Sequence, residues 1–279
     1  MLTIQGFGAC AKELEGVADQ SRMAVFAVVS TDAPPQIPHT PTRLARSTAP
    51  DPSKMLAPRD LIPYLATYAL RPFHRFFPDM LWRVDTIPDE HVVYLTFDDG
   101  PHPRITPRLI DALDQHDAKA ACFLVGSNAA KHPDLVRDLH AAGHTIGNHT
   151  YTHCDAWTTD TPTLIDELER TTDALEQIIG EKVRVMRPPY GHPTTAMREW
   201  CKRRGQRMVM WDVMPGDYLR TATTDKIATF TLNATRPGSI IVLHDNPICE
   251  YATLDSLPRI LDSSMDFARL RKNESNSGR

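Results

Sequence analysis

Long apolar runs, paired cysteines and a dominant charge are all missing from this chain of 279 residues. No stretch approaches the roughly 20 apolar residues of a membrane-spanning helix. The best leader-like run, Met23 to Val29, is short and follows an acidic segment. Neither a transmembrane span nor conventional secretion is indicated; the balance leans toward the cytoplasm, with an unusual export route left open. The five cysteines (Cys10, Cys122, Cys154, Cys201, Cys249) are odd in number and include no Cys-x-x-Cys pair. That usage fits reduced thiols better than a disulfide framework and sets aside cysteine-only zinc sites. Net charge is −4 with acids and bases intermixed, and no basic block marks a nucleic-acid surface. Nothing in the sequence fixes the oligomeric state.

Large apolar residues are also scarce over 31–58, which holds seven prolines. Such a stretch cannot bury enough surface to order itself, so residues 1–58 read as a disordered Pro-rich extension, with Met55 an alternative start. Residues 59–89 turn aromatic and apolar (Tyr64, Tyr68, Phe73, Phe76, Phe77, Trp82) and read as a helical lead-in packed on the main domain, with a membrane-surface role as the lesser alternative. Residues 90–270 alternate β-rich runs with helical segments, and 271–279 form a flexible tail. Strands are expected at Val92 to Phe97, Ala120 to Val125, His144 to Asn148, Val183 to Met186, Arg207 to Trp211 and Ser239 to Leu243, with a seventh at Met265 to Leu270. Thr161-Pro162 and Thr106-Pro107 read as N-cap and first helical position, and Gly180 as a helix stop. The pattern predicts an α/β fold with a largely parallel sheet, closed or nearly closed into a barrel.

Chemistry-bearing residues fall at five of the strand ends: Asp98 and Asp99, His149 and His153, Arg187, Asp212 with Asp217, and His244. In a parallel barrel those ends share one rim, where active sites form. Asp98 and Asp99 repel when both are ionised, so their adjacency calls for a cation, a shared proton or full solvation; a solvated Asp-Asp-Gly-Pro turn is the bland alternative. His149 and His153, at i and i+4, face one side if they share a helical turn and can then grip one ion. With twelve histidines in the chain the spacing alone is weak, and His140 with His144 is a rival broken by Gly143. His102, His132 and His192 read as surface residues. Two imidazoles, one carboxylate and an open position suit catalytic zinc or another divalent transition ion. Arg187, on the rigid Arg187-Pro188-Pro189-Tyr190-Gly191 turn, needs an anion if buried, and Asp98 is the obvious one, in a catalytic or a merely structural clamp. His244 reads either as a satisfied core histidine or as a general acid held by a carboxylate such as Asp217.

Taken together, Thr96-Phe97-Asp98-Asp99-Gly100-Pro101, His149-Thr150-x-x-His153, Arg187-Pro188-Pro189-Tyr190-Gly191, Trp211-Asp212 with Asp217-Tyr218, and Leu243-His244-Asp245 resemble, in order, the motifs of the polysaccharide deacetylases of carbohydrate esterase family four, whose shared unit is the NodB homology domain. The resemblance covers residues 90 to 270. It implies a distorted (β/α) barrel of about seven parallel strands holding one divalent metal, zinc or alternatively cobalt or another transition ion. It further implies Asp99, His149 and His153 as metal ligands, Asp98 as catalytic base and His244 as catalytic acid. Arg187 would orient the base, Asp217 would tune the acid, the Tyr190 backbone N–H would hold the oxyanion, and Trp211 and Leu243 would shape the pocket. The substrate class so implied is an N-acetylated carbohydrate polymer or oligosaccharide. A hydrolase of small amides, formamides or cyclic ureides on the same barrel is the enzymatic alternative, and a carbohydrate-binding module with a decayed site is a third. Tyr218 and the run Met214-Pro215-Gly216 depart from the usual pattern at the pocket wall.

Overall fold

Alternation along one strand sets the two sides of the fold. In β2 (Val92–Asp98), Val93, Leu95 and Phe97 pack with Leu109, Leu113, Leu254 and Leu257 from the surrounding helices. Tyr94 faces the other way, with Phe123, Val185, Met208, Ile240 and Val242. Thr96 and Asp98 follow Tyr94 at period two and so share its face. The computed structural model of the chain describes residues 61–86, 91–263, 265–268 and 270. The expected extension over 1–58 and tail over 271–279 lie outside the described residues.

The remaining strands are β1 (Met80–Leu81), β3 (Ala120–Leu124), β4 (Thr145–Asn148), β5 (Val185–Met186), β6 (Arg207–Val209), β7 (Ile240–His244) and β8 (Asp266–Phe267). The sheet runs β1-β6-β5-β4-β3-β2-β7, every named pairing parallel, with β8 joined to the start of β2. Parallel neighbours need long crossovers. Helices supply them: α1 (Thr106–Asp114), α2 (Gly126–Lys131), α3 (Pro133–Ala141), α4 (Thr161–Ile179), α5 (Thr195–Arg204), α6 (Thr224–Ala234) and α7 (Glu250–Leu261). The expected α/β fold with a parallel sheet of about seven strands is the observed architecture; the seven-strand path curves into a half-barrel rather than closing, with β1 and β7 at its ends.

Several boundaries differ from expectation for identifiable reasons. The cap of α4 is Asp160, whose carboxylate accepts the Thr163 N–H at 3.1 Å, one residue before the expected Thr161. Gly180 ends that helix at φ 73°, as expected. Thr106 does not cap α1: its hydroxyl accepts the His102 N–H at 2.7 Å and donates to Asp245 Oδ2 at 2.5 Å. Strand β5 starts late because the Val183 N–H is taken by Glu176 Oε1 at 3.2 Å. Strand β6 stops early because the Val209 and Met210 carbonyls accept from Arg187 Nε and Nη2.

The lead-in is broken into helical turns, Ile62–Tyr64, Leu65–Ala69 and Arg71–Phe76, with Pro63 and Pro72 near their starts, and it ends in β1, which the sequence reading missed. It is bound into the barrel. Thr67 Oγ1 accepts the Met214 N–H at 3.0 Å, Arg71 donates to the Ala234 carbonyl at 2.7 Å, and Val84 N–H bonds the Gly238 carbonyl at 2.9 Å. Gly238, at φ +80°, is required there: a Cβ would sit 2.0 Å from the Val84 oxygen. No helix among the described residues is long and apolar enough to cross a membrane. Cys122, Cys154, Cys201 and Cys249 are unpaired thiols; Cys10 lies outside the described residues.

Candidate active site at the carboxyl ends of the strands

Asp98 ends β2, His149 follows β4, Arg187 follows β5, Trp211 lies just beyond β6, and His244 ends β7. Parallel strands bring these ends to one rim. A hollow opens there, lined by Asp98, Asp99, His149, His153, Tyr190, Trp211 and His244 among others.

The two histidines are not on a helical turn, as their spacing had suggested. They sit in an irregular loop in which Thr150 and His153 both adopt left-handed φ, 59° and 61°. Such φ values are unusual for residues with a Cβ and persist where surrounding contacts over-determine them. Here Asn148 Oδ1 accepts the Thr150 N–H at 2.8 Å, and the buried Glu167 carboxylate accepts the N–H groups of Tyr151 and Thr152 at 2.8 and 2.6 Å. The imidazole centroids end 5.0 Å apart. Asp99 is likewise left-handed, at φ 79°.

Asp99 Oδ1 lies 3.1 Å from His153 Nε2 and 3.5 Å from His149 Nε2. It is buried yet accepts no well-aligned hydrogen bond. Three donor atoms that converge without bonding one another fit a cation: tetrahedral bonds of about 2.1 Å separate their ligands by about 3.4 Å. His149 Nδ1 lies 2.8 Å from the Arg187 carbonyl, which can only accept, so Nδ1 carries the proton and Nε2 presents its lone pair. Asp99 Oδ2 is held by Asn246 Nδ2 at 2.6 Å. Burial raises the Asp99 carboxyl, but the neighbouring His149 and His153 outweigh it and hold it well below the usual range. The rival His140 and His144 stand apart: buried His144 accepts the Ala120 N–H at 3.3 Å, and His140 approaches Glu181.

Asp98 is fixed from behind. Arg187, wholly buried, gives Nη1 to Asp98 Oδ1 and to Thr96 Oγ1, both at 2.7 Å, and its guanidinium lies over the Phe123 ring at 4.2 Å. Asp98 Oδ2 is left toward the cluster, 3.9 Å from His149 Nε2. Across the hollow, His244 Nδ1 bonds Asp217 Oδ1 at 2.8 Å. Burial lowers this histidine, but the charge and hydrogen bond of Asp217, with Asp99 and Asp98 added, together outweigh it and push it up to about 9.

Tyr190, at φ 59°, packs its ring edge-on against His153 with centroids 4.7 Å apart. Trp211 lines the hollow with a buried Nε1 that has no partner. Leu243 does not line it. That side chain lies in the helix-facing core, and Val242, two residues from His244 and therefore on its face, lines the hollow instead. Asp212 is also elsewhere, fully buried between Arg71 and Arg236. His192, expected at the surface, is buried, stacked on Trp157 at 3.7 Å and bonded to Asp155 at 2.7 Å. Asn246 was missed; its one signal was its place two residues after His244 on the same rim.

The polysaccharide deacetylase family profile matches residues 85–209. The chain is 39% identical over 154 residues to a chitooligosaccharide deacetylase of Bradyrhizobium sp., covering 55% of this chain and 70% of that protein. The chain belongs to the polysaccharide deacetylase family. A peptidoglycan-N-acetylglucosamine deacetylase of Bacillus cereus is 36% identical over 155 residues, and the match spans little more than half of either chain, 56% of each. Among solved structures, a peptidoglycan N-acetylglucosamine deacetylase bound to an N-hydroxybenzamide superimposes with TM-score 0.66 at 30% identity, covering 70% of this chain and 92% of that one. A family 4 carbohydrate esterase from Streptomyces lividans in complex with acetate gives TM-score 0.57 at 34% identity, covering 61% and 86%. Deacetylases of this family are metal-dependent hydrolases of carbon–nitrogen bonds, and the Asp99, His149 and His153 cluster is a possible metal site in this member.

Proposed function

We propose that this chain removes the acetyl group from N-acetylglucosamine units of a glycan, with Asp99, His149 and His153 holding one zinc ion, Asp98 as base and His244 as acid. The carrying observation is that two carboxylate–cation and carboxylate–histidine pairs, Arg187 with Asp98 and Asp217 with His244, face one three-donor cluster in a single hollow. Peptidoglycan and chitooligosaccharide, the substrates in the relatives' names, share that sugar.

A bound zinc ion would acidify a water and polarise the acetamide carbonyl. Asp98 is built to take the water proton: Arg187 occupies Oδ1, which leaves Oδ2 as the accepting atom, and the guanidinium keeps the carboxylate from swinging away. His244 must then protonate the nitrogen, because an amide anion is too poor a leaving group. Its Nδ1 proton is engaged by Asp217, so Nε2 carries the proton to be given. Trp211 and Tyr190 wall the space for the acetyl methyl, and the unpartnered indole N–H is a donor available to the substrate.

The test is acetate release by metal-stripped protein before and after reloading with zinc or cobalt. Chitin oligomers and peptidoglycan are compared with acetylated xylan, small formamides and ureides. Metal-dependent acetate from the N-acetylglucosamine glycans is expected. Turnover confined to small amides, or metal-independent turnover, overturns the proposal.

A further inference from the structure

Behind the proposed acid lies a second convergence of donor atoms. One donor atom each from Asp217, His244 and Cys249 lies within 4.8 Å of the other two. Asp217 and His244 have a role in the reaction proposed above; the thiol has none. Cys249 is fully buried just before α7 and is in no disulfide. Oxygen, imidazole and thiolate donors together select zinc and cadmium over magnesium or calcium. The Asp99, His149 and His153 cluster contains no sulfur.

Asn246 connects the two clusters. Its Nδ2 donates to Asp99 Oδ2 at 2.6 Å, its Oδ1 accepts the Cys249 N–H at 3.2 Å, and it lines the open hollow. An ion that reaches the hollow is therefore one side chain away from the thiol.

We propose that Asp217, His244 and Cys249 form a second, inhibitory site for a thiophilic divalent cation, zinc in excess or cadmium. Its effect on turnover rests on the deacetylase reading; its occupancy does not. Coordination through Cys249 Sγ and His244 Nδ1 releases the thiol proton and the Nδ1 proton to solvent. Asp217 Oδ1, which now accepts from the ring, becomes a ligand. His244 is left a neutral imidazole whose remaining N–H is too weak an acid to protonate the leaving nitrogen. The class of ion that the first site needs thus stops the reaction once it fills the second.

The experiment titrates the metal-stripped full chain with cobalt(II) while ultraviolet absorption and acetate release are followed together. The first equivalent should restore turnover without a thiolate-to-cobalt charge-transfer band. The second should raise that band as turnover falls about 100-fold or more, the scale of a lost general acid. Cys249→Ser and Cys249→Ala should bind one equivalent, show no band and stay active past it, whereas Cys154→Ser should keep the band. Cadmium-113 NMR of the parent chain reads sulfur ligation without any variant. A stoichiometry of one, or a second equivalent without sulfur ligation, overturns the site; a band without loss of turnover overturns its inhibitory role. If no glycan is hydrolysed at all, stoichiometry and band still decide whether the site exists.

Discussion

Asp217 grips His244 from two sides, Oδ1 taking the ring Nδ1 and Oδ2 the backbone N–H, both at 2.8 Å. Thr253 Oγ1 adds a bond to Oδ2 at 2.6 Å, so the carboxylate cannot rotate without breaking three contacts. Asp217→Asn should therefore lower kcat about 100-fold or more with little change in KM, and the first metal should still bind with a stoichiometry of one. Steady-state kinetics beside metal analysis check this; unchanged kcat would remove Asp217 from the acid machinery.

Arg187→Lys should fail on two counts. An ammonium cannot reproduce the planar fork that serves Asp98, Thr96 and the Val209 and Met210 carbonyls at once. A buried Asp98 deprived of its partner should destabilise the fold by about 3 kcal/mol or more. Denaturant unfolding should show that loss, and residual folded enzyme should have lost most of its turnover.

His144 sets an acid limit on stability. Burial, helped by Lys119 and opposed by Asp114, lowers it from 6.5 to about 4. The unfolded chain takes up this proton below pH ~6.5 and the folded chain only near 4, so the stabilisation is complete above pH ~6.5 and is lost as pH falls through about 4. The gap corresponds to roughly 3 kcal/mol. His144→Asn, which keeps an acceptor for the Ala120 N–H, should flatten the fall in unfolding free energy between pH 6.5 and 4. Parallel curves for parent and variant would contradict this account.

Gly191→Ala should damage the pocket wall. The position has φ +67°, and a Cβ there would meet the Trp211 ring at 2.6 Å. The indole must move or the turn must open, and turnover should fall more than stability. Equal kcat and KM for parent and variant would show that Trp211 placement is irrelevant to the reaction.

The strand ends were legible because β2 and β7 are apolar, buried runs that each stop on a polar residue, which delivers Asp98 and His244 to one rim. The family motif placed Leu243 on the pocket wall because it adjoins His244, but neighbours along a strand face opposite sides, and Val242 has the right parity. The meeting of His149 and His153 was foreseen, but its backbone was not. Left-handed residues at 150 and 153 are held by Asn148 and Glu167, and contacts between segments this irregular leave no periodic trace. Strand β1 is two residues long, too short for any periodicity, and it exists because β6 offers it an edge.

That edge has a practical consequence. The family profile begins at residue 85, after Ala66, Met80, Leu81 and Val84 have already been buried in the barrel core. Shortening the protein to its recognisable portion would strip four apolar side chains from the interior and leave the flank of β6 bare, an invitation to intermolecular strand pairing. A shortened version of this protein that keeps its fold should retain the chain from about Leu61 onward, well upstream of residue 85 where the profile begins.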